Sequence, residues 1–348
     1  MIRRVAALAV LACATAHAEP RKIEYSDNVM GTVITLWFYT DRQQEAADTT
    51  KAVFDEMHRL DAEMSNFKPD SEIGKLNAAA GAKPVKVSDE TLAVLQRSLD
   101  ISKRSGGVFD ITIESFRGVW KFDEDMDQAC KDELPACKLP DAAEIEARRK
   151  LVNYHDLVVD PAKHTAFLRR KGMKVTLGGI AKGYAVDRCV DIIKKHGFAD
   201  FMVQAGGDMY IAGSKGRDSW IVAIRDPRGP EGAMFARAPI KDHSFSTSGD
   251  YERGFVKDGV RYHHIIDPRT GRPATASRSV TIRAHDAFTA DAWSKVMFIY
   301  GWKEGMEIIR REKLDDFDVV WVDDKNEVHQ TPGIAKDLTI LHQPTPGP

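Results

Sequence analysis

Residues 176–187 read TLGGIAKGYAVD. Just ahead, the β-branched run 174–177 predicts a short strand, and Gly178 and Gly179 predict a turn whose backbone can come close to a ligand. Behind them Ala185, Cys189, Ile192 and Ile193 recur at three- and four-residue steps and Gly197 follows as a stop, which predicts a helix over 180–196. A strand, a glycine turn and a helix N-terminus aim unpaired N–H groups and a positive dipole end at one point, and a phosphate suits that point. Lys182, in the first helical turn, adds a full charge there. The spacing matches neither a Walker A loop nor a G-x-G-x-x-G fingerprint, and Gly-Gly before a helix is also an ordinary tight connection. The stretch therefore leaves open whether a phosphate binds, and whose.

Outward from this point, short strands alternate with long helices. Strands are predicted at 33–39, 157–159, 166–168, 201–204, 209–212, 220–224, 280–283 and 317–322, where β-branched and aromatic residues cluster between turn signals. The stripe Ala46, Thr50, Val53, Phe54, Met57, Leu60 and Met64 predicts one helix, and Ser88 and Asp89 can cap another over 90–104. Such a mixture predicts an α+β fold, with a mixed, largely antiparallel sheet and flanking helices. Residues 19–342 read as a single domain carrying a polar surface insertion near 121–141, and 343–348 as a loose tail. No internal repeat is visible.

Composition narrows the function. The 348 residues are 43% hydrophobic, enough for a sizeable core, and the net charge of −2 argues against nucleic acid as a partner. Arg3 and Arg4, the apolar run 5–12 and the Ala16-His17-Ala18 site predict a signal peptide over 1–18, hence export to the bacterial periplasm. Val10 to Cys13 also loosely resembles a lipoprotein box, which would anchor the chain to the membrane through Cys13. In an oxidising compartment Cys130 and Cys137 are placed to close a small loop, leaving Cys189 over.

Four further stretches hold polar residues that packing alone does not require. They are Gly206-Gly207-Asp208, the run STSGDYER at 246–253, YHHIIDPRTG at 262–271, and Thr289, Asp291, Ser294 and Lys295 near the start of a helix. Taken singly each has a plain explanation: Asp-Pro-Arg-Thr-Gly is a good turn, paired histidines are often one packed and one solvated, and an early helical Asp suits the dipole. Together they point to a phosphate-handling site.

The order Met30-Gly31-Thr32, MSNFKPDSEI, SGGVFD, LGGIAKGYAVD, GGD, STSGDYER, HHIIDPRTG and TADAWSK resembles the ApbE family of FAD:protein FMN transferases over about residues 28–300. The resemblance implies a T-fold-related architecture and an exported enzyme that uses Mg²⁺ and transfers FMN from FAD to a Thr or Ser hydroxyl of another protein, releasing AMP. That acceptor would be a subunit of a membrane or exported redox complex. It further implies that Met30, Phe67, Val108, Phe109, Asp110, Thr176, Lys182 and Ile265 bind the flavin nucleotide. Gly179, Asp291 and Ser294 would hold the metal, and His264 would be the base, oriented by Asp267. Two positions depart from the family pattern: Thr176 stands where Asp is common, and Lys295 where Thr follows the metal-binding Asp by four residues. A protonated Lys cannot ligate a metal. Either Ser294 supplies the missing oxygen, or Lys295 itself neutralises the pyrophosphate, and the expectation is activity that still needs Mg²⁺ at weakened affinity. A periplasmic FAD-binding protein and an FAD pyrophosphatase yielding FMN and AMP are the alternative readings.

Overall fold

The computed structural model describes residues 20–122 and 125–347, so the predicted leader and Cys13 lie outside the described residues. Eight strands form the central sheet: β1 (Arg21–Val29), β2 (Thr32–Thr40), β3 (Phe201–Ala205), β4 (Asp208–Ala212), β5 (His243–Gly249), β6 (Ser277–Ala284), β7 (Phe317–Asp323) and β8 (Val328–Gln330). Their spatial order is their chain order, and every neighbouring pair is antiparallel. Strand β1 escapes the sequence reading because it is an edge strand: Lys22, Glu24, Ser26 and Asn28 face solvent and few apolar residues alternate with them.

The main helices are α1 (Gln43–Met64), α2 (Asp89–Arg104), α3 (Ala181–Lys195) and α4 (Ala287–Glu312), the last kinked at Gly301. They cover one face of the sheet. Phe201, Val203, Tyr210, Val319 and Trp321 point into this larger core with Trp293 and Phe298 of α4. The residues between them on the same strands, Met202, Ile211, Val320 and Val322, point to the opposite face, which a small sheet of Trp220–Arg225, Met234–Ile240 and Thr339–Ile340 covers. Period-two alternation thus feeds two cores from one sheet. Each half of the sheet is also two strands, a helical excursion and two strands, with α3 and α4 as equivalents, a repeat invisible in sequence because only the core pattern is common to both halves.

Two expectations change. The run 174–177 is extended but pairs with no strand, since Val175 N donates to Asn77 Oδ1, Lys174 N to Ser115 Oγ and Thr176 N to the Ile111 carbonyl. The tail is tied down: Asn326 Nδ2 donates to the Pro344 carbonyl, and the Thr345 amide and hydroxyl donate to Asp226. The predicted insertion carries a disulfide between Cys130 and Cys137 and packs Trp120, Phe122, Phe255 and Ile266 into a third small core. Among the described residues no helix is long and apolar enough to cross a membrane.

Antiparallel strands alternate in direction, so the β1–β2, β3–β4 and β5–β6 connections leave the same end of the sheet. Met30-Gly31, Gly206-Gly207 and residues 250–276 gather there. A Cβ on Gly206, whose φ is +62°, would come within 2.9 Å of Thr32 Oγ1.

Candidate functional site

The N-termini of α3 and α4 meet and cap each other. Asp187 of α3 accepts from the Ala287 and Phe288 amides at 2.8 and 2.9 Å, and Asp291 Oδ2 of α4 accepts from the Gly183 amide at 3.0 Å. Each aspartate satisfies donors that the other helix leaves unpaired. Gly183 makes the crossing possible, because a Cβ there would lie 2.2 Å from the Ala287 carbonyl oxygen. The glycine and aspartate of the K-G-Y-A-V-D run therefore place α4, and with it Asp291, against the glycine turn.

That turn spends much of its own hydrogen bonding internally. Thr176 Oγ1 donates to Asn66 Oδ1 and accepts from the Gly178 amide, each at 3.0 Å, while the Ile180 and Ala181 amides both donate to the Leu177 carbonyl. What the site offers an anion is charge. Lys182 Nζ lies 3.1 Å from the Gly178 carbonyl and 3.7 Å from Asp208 Oδ2, and Lys295 Nζ donates to Asp291 Oδ1 and, at 2.9 Å, to the Asp291 carbonyl. Asp208 and Asp291 are buried. Burial, then the charge of Asp291, raises the Asp208 pKa; for Asp291 burial acts in the same upward sense, but Lys295 and Lys182 more than offset it and hold the pKa below the usual carboxylate range. Burial would pull the Lys295 pKa down, yet Asp291 and Asp208 raise it above that of an ordinary lysine, so it stays an ammonium.

The two histidines divide as paired strand histidines do. His263 is packed, its Nε2 donating to the Ala274 carbonyl at 2.8 Å while Nδ1 accepts from the Ile265 amide. His264 is exposed, with protein massed around it, and this surrounding together with the charges of Arg253 and Lys295 holds its imidazole below the ordinary value, neutral at pH 7. The orienting role expected of Asp267 does not appear: both its carboxylate oxygens accept from the Arg269 guanidinium, and Oδ1 also from the Arg269 amide, closing the Asp-Pro-Arg-Thr-Gly turn.

The residues expected around the nucleotide fall into two groups. Phe67 is 67% exposed, with the Arg117 guanidinium 4.2 Å from its ring centre, so it packs no core and has a face to offer. Met30 sits with Gly31 in a two-residue hairpin loop, both at positive φ (56° and 70°), an unfavourable conformation for Met at the functional end of the sheet. Val108, Phe109 and Ile265 instead have their side chains buried in the main core. Asp110 is a buried clamp, accepting from the Thr112 amide and hydroxyl and from the Tyr154 amide, and its pKa is raised by burial. Asn66 and Asp208 carry more of the site than their sequence context announced, Asn66 because only the fold brings it to Thr176.

The donor set expected for Mg²⁺ does not make a divalent-cation site here. Ser294 is fully buried, its hydroxyl donating to the Asp291 carbonyl and paired with Ser248 Oγ, both at 2.7 Å, which corrects the expectation that it faces the metal. Asp291 already holds the Gly183 amide and the Lys295 ammonium, and the Lys295 stem reaches Gly179, where a Cβ would lie 3.7 Å from its Cε. A divalent ion about 4 Å from that ammonium would meet a repulsion of roughly 8 kcal/mol at an effective dielectric constant of about 20.

Comparison with known proteins agrees with this architecture. A family model described as the ApbE family matches residues 30–321. The FAD:protein FMN transferase of Treponema pallidum (strain Nichols) is 31% identical over 341 residues, 93% of this chain and 91% of that protein. The FAD:protein FMN transferase of Escherichia coli (strain K12) is 30% identical over 263 residues, 74% of this chain and 73% of its own. The crystal structure of the ApbE protein from Thermotoga maritima aligns with a TM-score of 0.80 at 30% identity, over 91% of this chain and 99% of that one. With the family match running from the first hairpin to β7 and the fold shared throughout, this chain belongs to the ApbE family.

Proposed function

We propose that this chain is an exported FAD:protein FMN transferase acting on a Thr or Ser hydroxyl of a subunit of a membrane or exported redox complex. The observation that carries the reading is the cluster of Lys182, Lys295, Asp208 and Asp291 with the exposed, neutral His264 at one end of the sheet, in a chain of this family. The acceptor oxygen attacks the phosphorus on the riboflavin side of the FAD pyrophosphate. A phosphodiester bond to the protein forms, the bond from that phosphorus to the bridging oxygen breaks, and AMP leaves with that oxygen and its electron pair. His264 takes the hydroxyl proton as the bond forms. Lys182 and Lys295 hold the pyrophosphate and oppose the charge that builds on the departing phosphate. Phe67 stacks on an aromatic ring of FAD, and Val108, Phe109 and Ile265 close the nucleotide site. Mg²⁺, expected from the resemblance, takes no step in this scheme, because the donor set is occupied as described.

The leader over 1–18 puts the mature chain in the periplasm, where its acceptors would be; lipidation at Cys13 would anchor it to the membrane. The test is the intact mass of a candidate acceptor domain incubated with mature protein and FAD, beside a sample without enzyme. A gain of one esterified FMN, lost with Asp291→Ala, is the expected result. AMP without a mass gain on any acceptor tried would make the chain a pyrophosphatase, and bound FAD with neither product a carrier.

A further inference from the structure

We propose that Lys295 is a resident cation that does the work of a divalent metal, so that FAD binding and cleavage by this chain need no metal ion. The inference rests on the flavin-transferase reading and deepens it. Its first ground is placement. The Lys295 ammonium is bonded to both a side-chain and the main-chain oxygen of Asp291, and the lysine stem lies against the Gly179 backbone, so it stands between the groups that would otherwise ligate an ion.

The second ground is that the position is built. Asp291 is fully buried and fixed from its other oxygen by the Gly183 amide, and the crossing of α3 and α4 that fixes it tolerates no side chain at residue 183. Ser294, the remaining oxygen on that helical turn, is turned into the protein and paired with Ser248. The third ground is charge. Asp208 and Asp291 are matched by Lys182 and Lys295, a cluster that closes at zero with no added ion. Two of the three Lys295 N–H donors are spent on Asp291, which leaves one for a pyrophosphate oxygen. An ammonium offers a point charge and directed donors, enough for a reaction whose catalysis is chiefly positioning and charge stabilisation.

The experiment measures FAD binding by flavin fluorescence, and metal binding by Mn²⁺ electron paramagnetic resonance, on the mature wild-type protein and on Lys295→Thr and Lys295→Met. Wild-type protein is expected to bind FAD equally in EDTA and in Mg²⁺, within twofold, and to hold no Mn²⁺ at micromolar concentration. Lys295→Met should lose at least tenfold in FAD affinity in either buffer. Lys295→Thr should lose as much in EDTA, recover with Mg²⁺ and acquire a Mn²⁺ signal. Wild-type affinity that falls tenfold or more in EDTA, or a wild-type Mn²⁺ site as tight as that of Lys295→Thr, would overturn the proposal while leaving the flavin reading intact. If wild-type protein binds FAD in neither buffer, the flavin reading itself fails. The wild-type arms decide the question even if a variant does not fold.

Discussion

His264 differs from its neighbour His263 by one place in the chain and by everything in its surroundings. One ring has both nitrogens committed inside the protein; the other faces solvent among positive charges. His264→Ala should cut FMN transfer about 10²- to 10⁴-fold while FAD still binds. The pH dependence has a definite sign. Because the folded-state pKa is depressed, the neutral base persists as pH falls through the ordinary imidazole value of about 6.5, and activity is lost only well below it. A transfer-rate profile with an acid limb centred at 6.5 or higher would show that the base is another group. At this scale residue types are more legible in sequence than their partners. The division between His263 and His264 is legible in a strand-then-turn pattern, whereas the capture of Asp267 by Arg269, two residues on, is one of several bonds that the same five-residue turn permits.

Between elements, the mutual capping of α3 and α4 decides where the charged groups sit. Asp187→Ala removes the acceptor for two amides at the start of α4 and should cost about 1–2 kcal/mol, seen as a lowered thermal midpoint. FAD affinity should fall with it, since Asp291 and Lys295 ride on the same helix. An Asp187→Ala protein with an unchanged midpoint would mean that this clasp is not what holds the helices. The extents of α2 and α3 were readable from cap and stop residues to within a residue or two. The purpose of the LGGIAKGYAVD run was not, because Gly183 and Asp187 act on a helix about a hundred residues later. A local pattern cannot disclose so distant a partner. Read locally, the run suggested a phosphate cradle; in the fold it is mainly a joint.

For the whole molecule, the third core around Cys130 and Cys137 takes in Phe255 and Ile266, two residues from Arg253 and His264 respectively, but none of Lys182, Lys295, Asp208 and Asp291. Closing so short a loop contributes about 2 kcal/mol, so a reducing agent should lower the thermal midpoint by a few degrees and leave the FAD dissociation constant unchanged within twofold. Loss of FAD binding on reduction would instead tie the insertion to the site. The α+β class and most central strands were legible because alternation between turn signals is a strong signal. The polar edge of strand β1 hides it from pattern reading, and the meander order is illegible because the β2–β3 connection carries some 160 residues between paired neighbours. The hydrogen-bonded tail adds a practical consequence. Its anchors are Asn326, in the β7–β8 turn, and Asp226, two residues from the Arg228 that pairs with Asp250. A dye, a surface tether or a fused reporter attached after this tail would stand beside the Arg228–Asp250 pair, at the functional end of the sheet, and would crowd the approach of a large protein acceptor.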